Sequence, residues 1–414
     1  MDNQMTNILI FSREYPPNIV GGTAIVARST AEGLVKRNYH VTVVSRYVGK
    51  ETKYMKINGV DVIFVASEAI YLDHSNLESQ VLRSHKHIVD VTLKRLQEKP
   101  DMVIVPDLFS FPEALIVAKR YKIKLINILL QDFSKMMIYD KMGSHMVTNN
   151  AYANEVDLLR VEERSVVSSD MNVFISHALA DSIIEHYSLD TKKCEIIYLG
   201  VDRKELFLDD EPVDDSIIGL YDRSKKTFCS VGRMVPIKGF DSLIKAFKIV
   251  NDYCEDTILH LMGTGPEVPF LEGLVDELGL QGKVKIFYES DREKMVLHMR
   301  ACDYAVVPSL WESFCYVVAE FMALEKPLIV NGVDSLNELM VDNETGYIIP
   351  VIERNGVRSV NIELLAKKMI DMLENESQAR VFAANAKERV KKCFVNEIYA
   401  ENLDKQIKNM LGNE

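Results

Sequence analysis

Short runs rich in Val, Ile and Leu alternate with helical stretches along this chain, and they do so in two separate series. The first comprises "NILIFS", "HVTVVSR", "VDVIFVA", "DMVIVP", "KLINILL", "MNVFIS" and "CEIIYLG", with helical segments such as 23–37 and 76–97 between most of them. Strands apolar on both faces need cover on both faces, and strands joined through helices run parallel. The pattern lapses at 202–226, "DRKELFLDDEPVDDSIIGLYDRSKK", which is acidic and irregular, as linkers are. A second series follows: "TFCSVGR", "TILHLMG", "KVKIFYE", "YAVVPS", "PLIVNG" and "GYIIP". Beyond Pro350 the chain reads as helical, apart from a polar turn near 353–358.

The expected fold class is therefore α/β, with two Rossmann-like doubly wound parallel-sheet domains facing across a cleft. At 414 residues the chain exceeds the size of a single core. The expected boundaries are an N-terminal domain at 1–201, a linker at 202–226, a C-terminal domain at 227–394, and a helix at 395–414 crossing back to brace both domains. In such sheets ligands gather outside the carboxyl ends of the strands.

A net charge of -12 argues against nucleic acid or anionic lipid as main partner. The six cysteines lie apart from one another and mostly inside apolar runs, so free thiols of a reducing compartment are expected rather than disulfides or zinc. "MDNQMTNILIFS" does not read as a signal peptide, and no run is long enough for a membrane helix. The expectation is a soluble, cytoplasmic protein.

Four stretches carry chemistry. "SREYPPNIVGGTAIVARS" links the first strand to the first helix, and Gly21-Gly22 offer bare N–H groups to an anion at a helix start. A plain strand–helix turn accounts for them equally well. "GRMVPIKGF" brings Arg233 and Lys238 to a strand's carboxyl end, a pair suited to pyrophosphate. "LMGTGPEVPF" fits G-x-G at Gly263 and Gly265, but Val268 occupies the third glycine position, so a dinucleotide fingerprint is weakly supported; the two glycines are expected to let the backbone approach a nucleotide or sugar, a plain turn being the alternative.

The fourth is "SLWESFCYVVAEFMALEKP", read as an apolar helix over 313–324. Glu312 and Glu320 on one helix would stand about 12 Å apart along its axis, too far for a glycosidase carboxylate pair. They are given separate work. Glu312 meets a ligand hydroxyl or balances Lys238. The N–H groups of Phe314, Cys315 and Tyr316 meet phosphate at the helix start. Glu320 accepts from two neighbouring hydroxyls, as on a ribose; a neighbouring arginine or the backbone would equally satisfy it.

Taken in order, "PPNIVGGT", "VGRMVPIKGF", "LMGTGPE", "DYAVVPSLWESFCYVVAE" and "NETGYIIP" resemble the retaining glycosyltransferases of family 4, or glycosyltransferase group 1, over nearly the whole chain. The resemblance implies a GT-B fold and transfer of a hexose or N-acetylhexosamine, with retention, from a nucleoside-diphosphate sugar to a hydroxyl acceptor. UDP-sugars are the first expectation. The acceptor class stays open among saccharide, lipid carrier, natural product and protein. It further implies that Arg233 and Lys238 bind the donor diphosphate and, with Glu312 on the sugar, form the catalytic set. Glu320 binds the ribose, and Gly21-Gly22 border the phosphate. No cofactor or metal is required; the sequence holds no Asp-x-Asp.

Three departures stand out. Where the family carries a cleft histidine, this chain offers Pro106-Asp107 and Gln131-Asp132. Cys315 replaces the usual glycine, and Leu199 a usual asparagine. The alternatives on the same architecture are a nucleotide-sugar epimerase and a nucleotide-sugar-binding accessory subunit. No signature of a pyridoxal-dependent phosphorylase lysine is present. The loops 47–75 and 134–150 are the expected acceptor-facing segments.

Overall fold

The computed structural model describes residues 5–18, 21–67, 77–135, 155–207, 221–289, 291–354 and 356–412. Residues 208–220 of the expected linker, 136–150 of the 134–150 loop and 68–75 of the 47–75 loop lie outside the described residues. Two compact units emerge among them. Unit 1 takes 5–135, 155–200 and 396–412, and unit 2 takes 201–395.

Unit 1 is built on strands β1 (Asn7–Ser12), β2 (His40–Val48), β3 (Lys53–Ile57), β4 (Val60–Ser67), β5 (Met102–Val105), β6 (Lys124–Leu129), β7 (Met171–Phe174) and β8 (Cys194–Ile196). They lie in the order β3-β4-β2-β1-β5-β6-β7-β8. All neighbours pair in parallel except β3, which runs antiparallel to β4 on the edge. The central strands β1, β5, β6 and β7 are buried along nearly all their length, and Leu9, Phe11, Val44, Val65, Val103, Val105, Phe111 and Val117 form one core. β3 was expected as part of a loop. Four of its five residues are exposed, so it never needed the apolar signature by which the other strands are read.

The helix Asn396–Leu411 belongs to unit 1. It packs on the helix Gly22–Val35 where Gly33 leaves room; a Cβ there would stand 2.6 Å from the Cβ of Ala400. Two buried hydrogen bonds fix the contact, Thr30 Oγ1 with the Tyr399 hydroxyl at 2.7 Å and the Tyr39 hydroxyl donating to Asp404 at 2.7 Å.

Unit 2 holds β9 (Lys226–Val231), β10 (Thr257–Met262), β11 (Val284–Phe287), β12 (Tyr304–Val307), β13 (Leu328–Asn331) and β14 (Tyr347–Ile349), all parallel in the order β11-β10-β9-β12-β13-β14. Strand order therefore reverses between β9 and β12, the place where an open sheet leaves a crevice. Phe228, Phe240, Phe247, Leu259, Val306, Ile329 and Met369 anchor its core. The expected polar turn near 353–358 is instead a hairpin, β15 (Ile352–Arg354) with β16 (Val357–Ser359), paired antiparallel. Like β3 it is nearly all exposed and so lacked an apolar signal.

Candidate functional site

In unit 2 the loops leaving β9 and β12 meet at the strand-order reversal. The Leu310 N–H donates to the Ile237 carbonyl at 2.8 Å, tying one loop to the other. Lys238, which closes a short 3-10 turn at Pro236–Lys238, donates from Nζ to Glu312 Oε1 at 2.5 Å. Glu312 is 8% exposed. Burial works against the lysine charge, but Glu312 and the nearby Cys315 outweigh it and hold the ammonium above its ordinary range. A partly buried, charge-assisted pair is thus held in place at the strand-order reversal. The structure brings together Lys238 and Glu312 as the sequence anticipated. Arg233 stands exposed on the same β9 loop.

Four further side chains fix the Glu312 loop, and none was singled out in the sequence. Asn331, at the end of β13, donates to the Pro308 and Ser309 carbonyls at 2.7 and 3.1 Å. The Ser335 hydroxyl donates to the Glu312 carbonyl at 3.0 Å, and the Glu312 N–H reaches Asp334 at 3.4 Å. Arg358, on the exposed hairpin, donates to Asp334 at 2.9 Å and to the Leu310 carbonyl at 3.3 Å. For Asn331, Asp334 and Ser335 the available signal was the run "NGVDS" at the end of an apolar strand; Arg358 had none.

The helix carrying Glu320 is shorter than expected. It spans Tyr316–Ala323, and Cys315 caps it at φ 73°, in the left-handed region. Side chains with a Cβ enter that region at a cost of about 1–2 kcal/mol. This explains in backbone terms why a glycine would suit the position and why the helix cannot extend back to 313. Of the expected anion-facing N–H groups, only that of Tyr316 belongs to the helix. Phe314, 2% exposed, packs edge-on against Tyr316 and Phe394 and serves the core. Glu312 lies outside the helix, so the axial spacing does not describe the pair.

Glu320 is 2% exposed within that apolar helix, and an arginine satisfies it. Arg292 Nη1 donates to Glu320 Oε1 at 2.6 Å, while Nη2 approaches Glu205 at 3.5 Å. Of the two readings of Glu320, the neighbouring-arginine contact is present in the structure.

Gly263 and Gly265 have a packing reason. A Cβ on Gly263 would fall 1.9 Å from the Gly232 carbonyl oxygen, and one on Gly265 would fall 2.3 Å from that of Met234. The loops after β9 and β10 close on each other here, with Met234 N–H bonded to the Thr264 carbonyl at 2.8 Å. Loop packing alone requires both glycines.

Unit 1 has its own reversal, between β1 and β5. The Arg13 N–H after β1 donates to Asp107 after β5 at 2.7 Å. Asp107 also caps the turn Leu108–Ser110 through the Phe109 N–H, and it accepts from Ser110. The buried Asp132 accepts from Ser134, Ser182 and the Lys135 N–H. The two aspartates standing near the missing histidine are thus engaged in holding loops. Glu14 takes the Gly21 N–H at 2.9 Å. Gly21 is extended at φ -162°, and a Cβ added there would meet open space. Beside this edge lies a cavity of about 80 Å³ lined by Arg13, Asp107, Asn127, Gln131, Phe133 and Glu162, among others.

Residues 217–389 match the family described as Glycosyl transferases group 1, and residues 20–205 match Glycosyltransferase Family 4. An uncharacterized glycosyltransferase of Methanocaldococcus jannaschii is 25% identical over 350 residues, 82% of this chain and 84% of that one. Among solved structures, sucrose-phosphate synthase from Thermosynechococcus elongatus superposes with a TM-score of 0.78 at 19% identity, covering 98% of this chain and 99% of that one. The Anabaena protein HepE, solved with UDP and glucose, gives 0.73 at 17% identity over 98% and 100%.

Proposed function

We propose that this chain, which belongs to the group 1, family 4 glycosyltransferases with the GT-B fold, moves a hexose or N-acetylhexosamine from a UDP-sugar to a hydroxyl acceptor with retention of configuration. The observation that carries the reading is the Lys238–Glu312 pair at the reversal of the unit 2 sheet. Departure of a nucleoside diphosphate builds negative charge on its outer phosphate. A fixed ammonium, the exposed Arg233 guanidinium and the first N–H groups of the helix at Tyr316 are the groups able to stabilise that charge as it develops. In this scheme the cations of the chain neutralise the diphosphate and no metal is required.

Glu312 then has two tasks, orienting Lys238 and accepting from a donor-sugar hydroxyl. Glu320 accepts from the ribose. In unit 1, the first N–H groups of the helix Gly22–Val35 are the ones able to meet an anion, since the Gly21 N–H is taken by Glu14. That a structural relative was solved with UDP and glucose supports a uridine donor.

The test is acceptor-dependent release of UDP from UDP-glucose and UDP-N-acetylglucosamine across a panel of sugar, polyol, lipid-carrier and peptide acceptors, with product configuration read by NMR. Lys238→Ala should lower kcat by about 100-fold or more while UDP affinity falls only a few-fold. Glu320→Ala should weaken UDP binding about tenfold. An altered free sugar formed without acceptor would instead identify an epimerase, and donor binding without turnover on any acceptor an accessory subunit.

A further inference from the structure

Glu320 and its arginine make an arrangement that helix energetics alone does not favour. Arg292 is the first residue of the helix Arg292–Ala301, capped by Asp291. A cation in the first turn opposes the helix dipole, where an acidic residue would be favoured. The arginine side chain is 37% exposed and reaches in to a nearly buried carboxylate. Burial works against its charge, and Glu320 followed by Glu205 restores it, holding the group above its ordinary range. Something other than helix stability therefore accounts for an arginine here.

The geometry at the other end is one-sided. Only Oε1 of Glu320 takes the guanidinium, at 2.6 Å, and Oε2 makes no hydrogen bond among the described residues. A purely structural ion pair between arginine and carboxylate commonly forks onto both oxygens. Here one oxygen is spent on charge balance and rotamer locking, and the other is left for a ligand.

Resting on the donor reading above, we propose that Arg292 is a positioning residue. It fixes the Glu320 carboxylate through Oε1 so that Oε2 is presented to the ribose hydroxyls of a nucleoside diphosphate. Arg292 itself does not touch the nucleotide. Its counter-anion Glu205, in the short helix Arg203–Leu206, steadies the other guanidinium nitrogen.

Titration calorimetry of the full chain with UDP and with 2′-deoxy-UDP tests this. The wild-type protein should prefer UDP about tenfold, one charged hydrogen bond's worth. Arg292→Met should bring the two affinities within about twofold of each other, and Arg292→Lys, which keeps the charge, should restore part of the preference. If Arg292→Met fails to fold by circular dichroism, Arg292→Lys and Arg292→Gln supply the graded series. A preference for UDP unchanged in any folded Arg292 variant overturns the positioning role. Wild-type protein that binds neither UDP nor GDP overturns the donor reading itself, and the inference with it.

Discussion

Glu113 and Glu162 are both buried in unit 1 at 1% exposure, yet they sit in opposite electrostatic company. Glu113 faces Arg46 and His85, and although burial works against its charge, those partners hold its carboxyl below the ordinary range. Glu162 accepts only from the Phe133 N–H at 3.0 Å and the Tyr187 hydroxyl at 2.9 Å, with no cation against it among the described residues. Burial pushes its carboxyl up to about 7, the two neutral donors fall short of offsetting this, and Asp132 adds to it. The sign follows directly. Between about 4.5 and about 7 the folded chain keeps a proton that the unfolded chain has released, so Glu162 costs stability as pH rises through that window. Glu162→Gln preserves the shape and removes the titration. Unit 1 of the variant should be more stable than wild type above pH 7 and indistinguishable below pH 4.5, with a slope difference of up to about 1.4 kcal/mol per pH unit between. Denaturant melts at pH 4.5, 6 and 8 check it; parallel curves at every pH would refute it.

At the scale of elements, the exposed hairpin β15–β16 is small but well placed. Its Arg358 is what holds Asp334 and the Leu310 carbonyl, and through them the Glu312 loop. Arg358→Ala should lower unit 2 stability by about 1–3 kcal/mol and weaken donor binding several-fold, with the chemical step on bound donor largely retained. Urea melts and UDP titration read the two effects separately. This hairpin also marks where sequence reading stops. Strands buried on both faces announce themselves by composition, and β1, β2, β9, β10 and β12 were legible for that reason. The hairpin and β3 face water and carry no such mark. The site divides along similar lines. Lys238 with Glu312 was readable because both follow strands at their carboxyl ends. Arg292, Asp334 and Asn331 come from other loops and matter only through contacts that the fold creates. The left-handed Cys315 was invisible as such, since glycine is the residue type that signals a positive φ and a cysteine carries no such mark.

At the scale of the molecule, sequence order and structural order part company. Among the described residues unit 2 draws on 201–395, whereas unit 1 takes its last helix from the far end of the chain. Tyr399, Leu403 and Ile407 are all buried at 1% exposure or less, each contributing about 1.5–3 kcal/mol by its burial. Removing residues 396–414 should therefore destabilise unit 1 while leaving unit 2 near its native stability. Hydrogen exchange resolved by peptide should show faster exchange in the helix Gly22–Val35 and in β1 and β2, with little change in β9, β10 and β12. Equal acceleration in both units would contradict this assignment of the helix.

The same helix has a consequence for synthesis. A ribosome delivers residues in order, and most domains complete themselves as they emerge. Here the half made first lacks a wall until the half made second has been translated in full. The nascent sheet of unit 1 must wait with its Gly22–Val35 helix uncovered, and a premature stop near the end of the message would spoil the beginning of the protein.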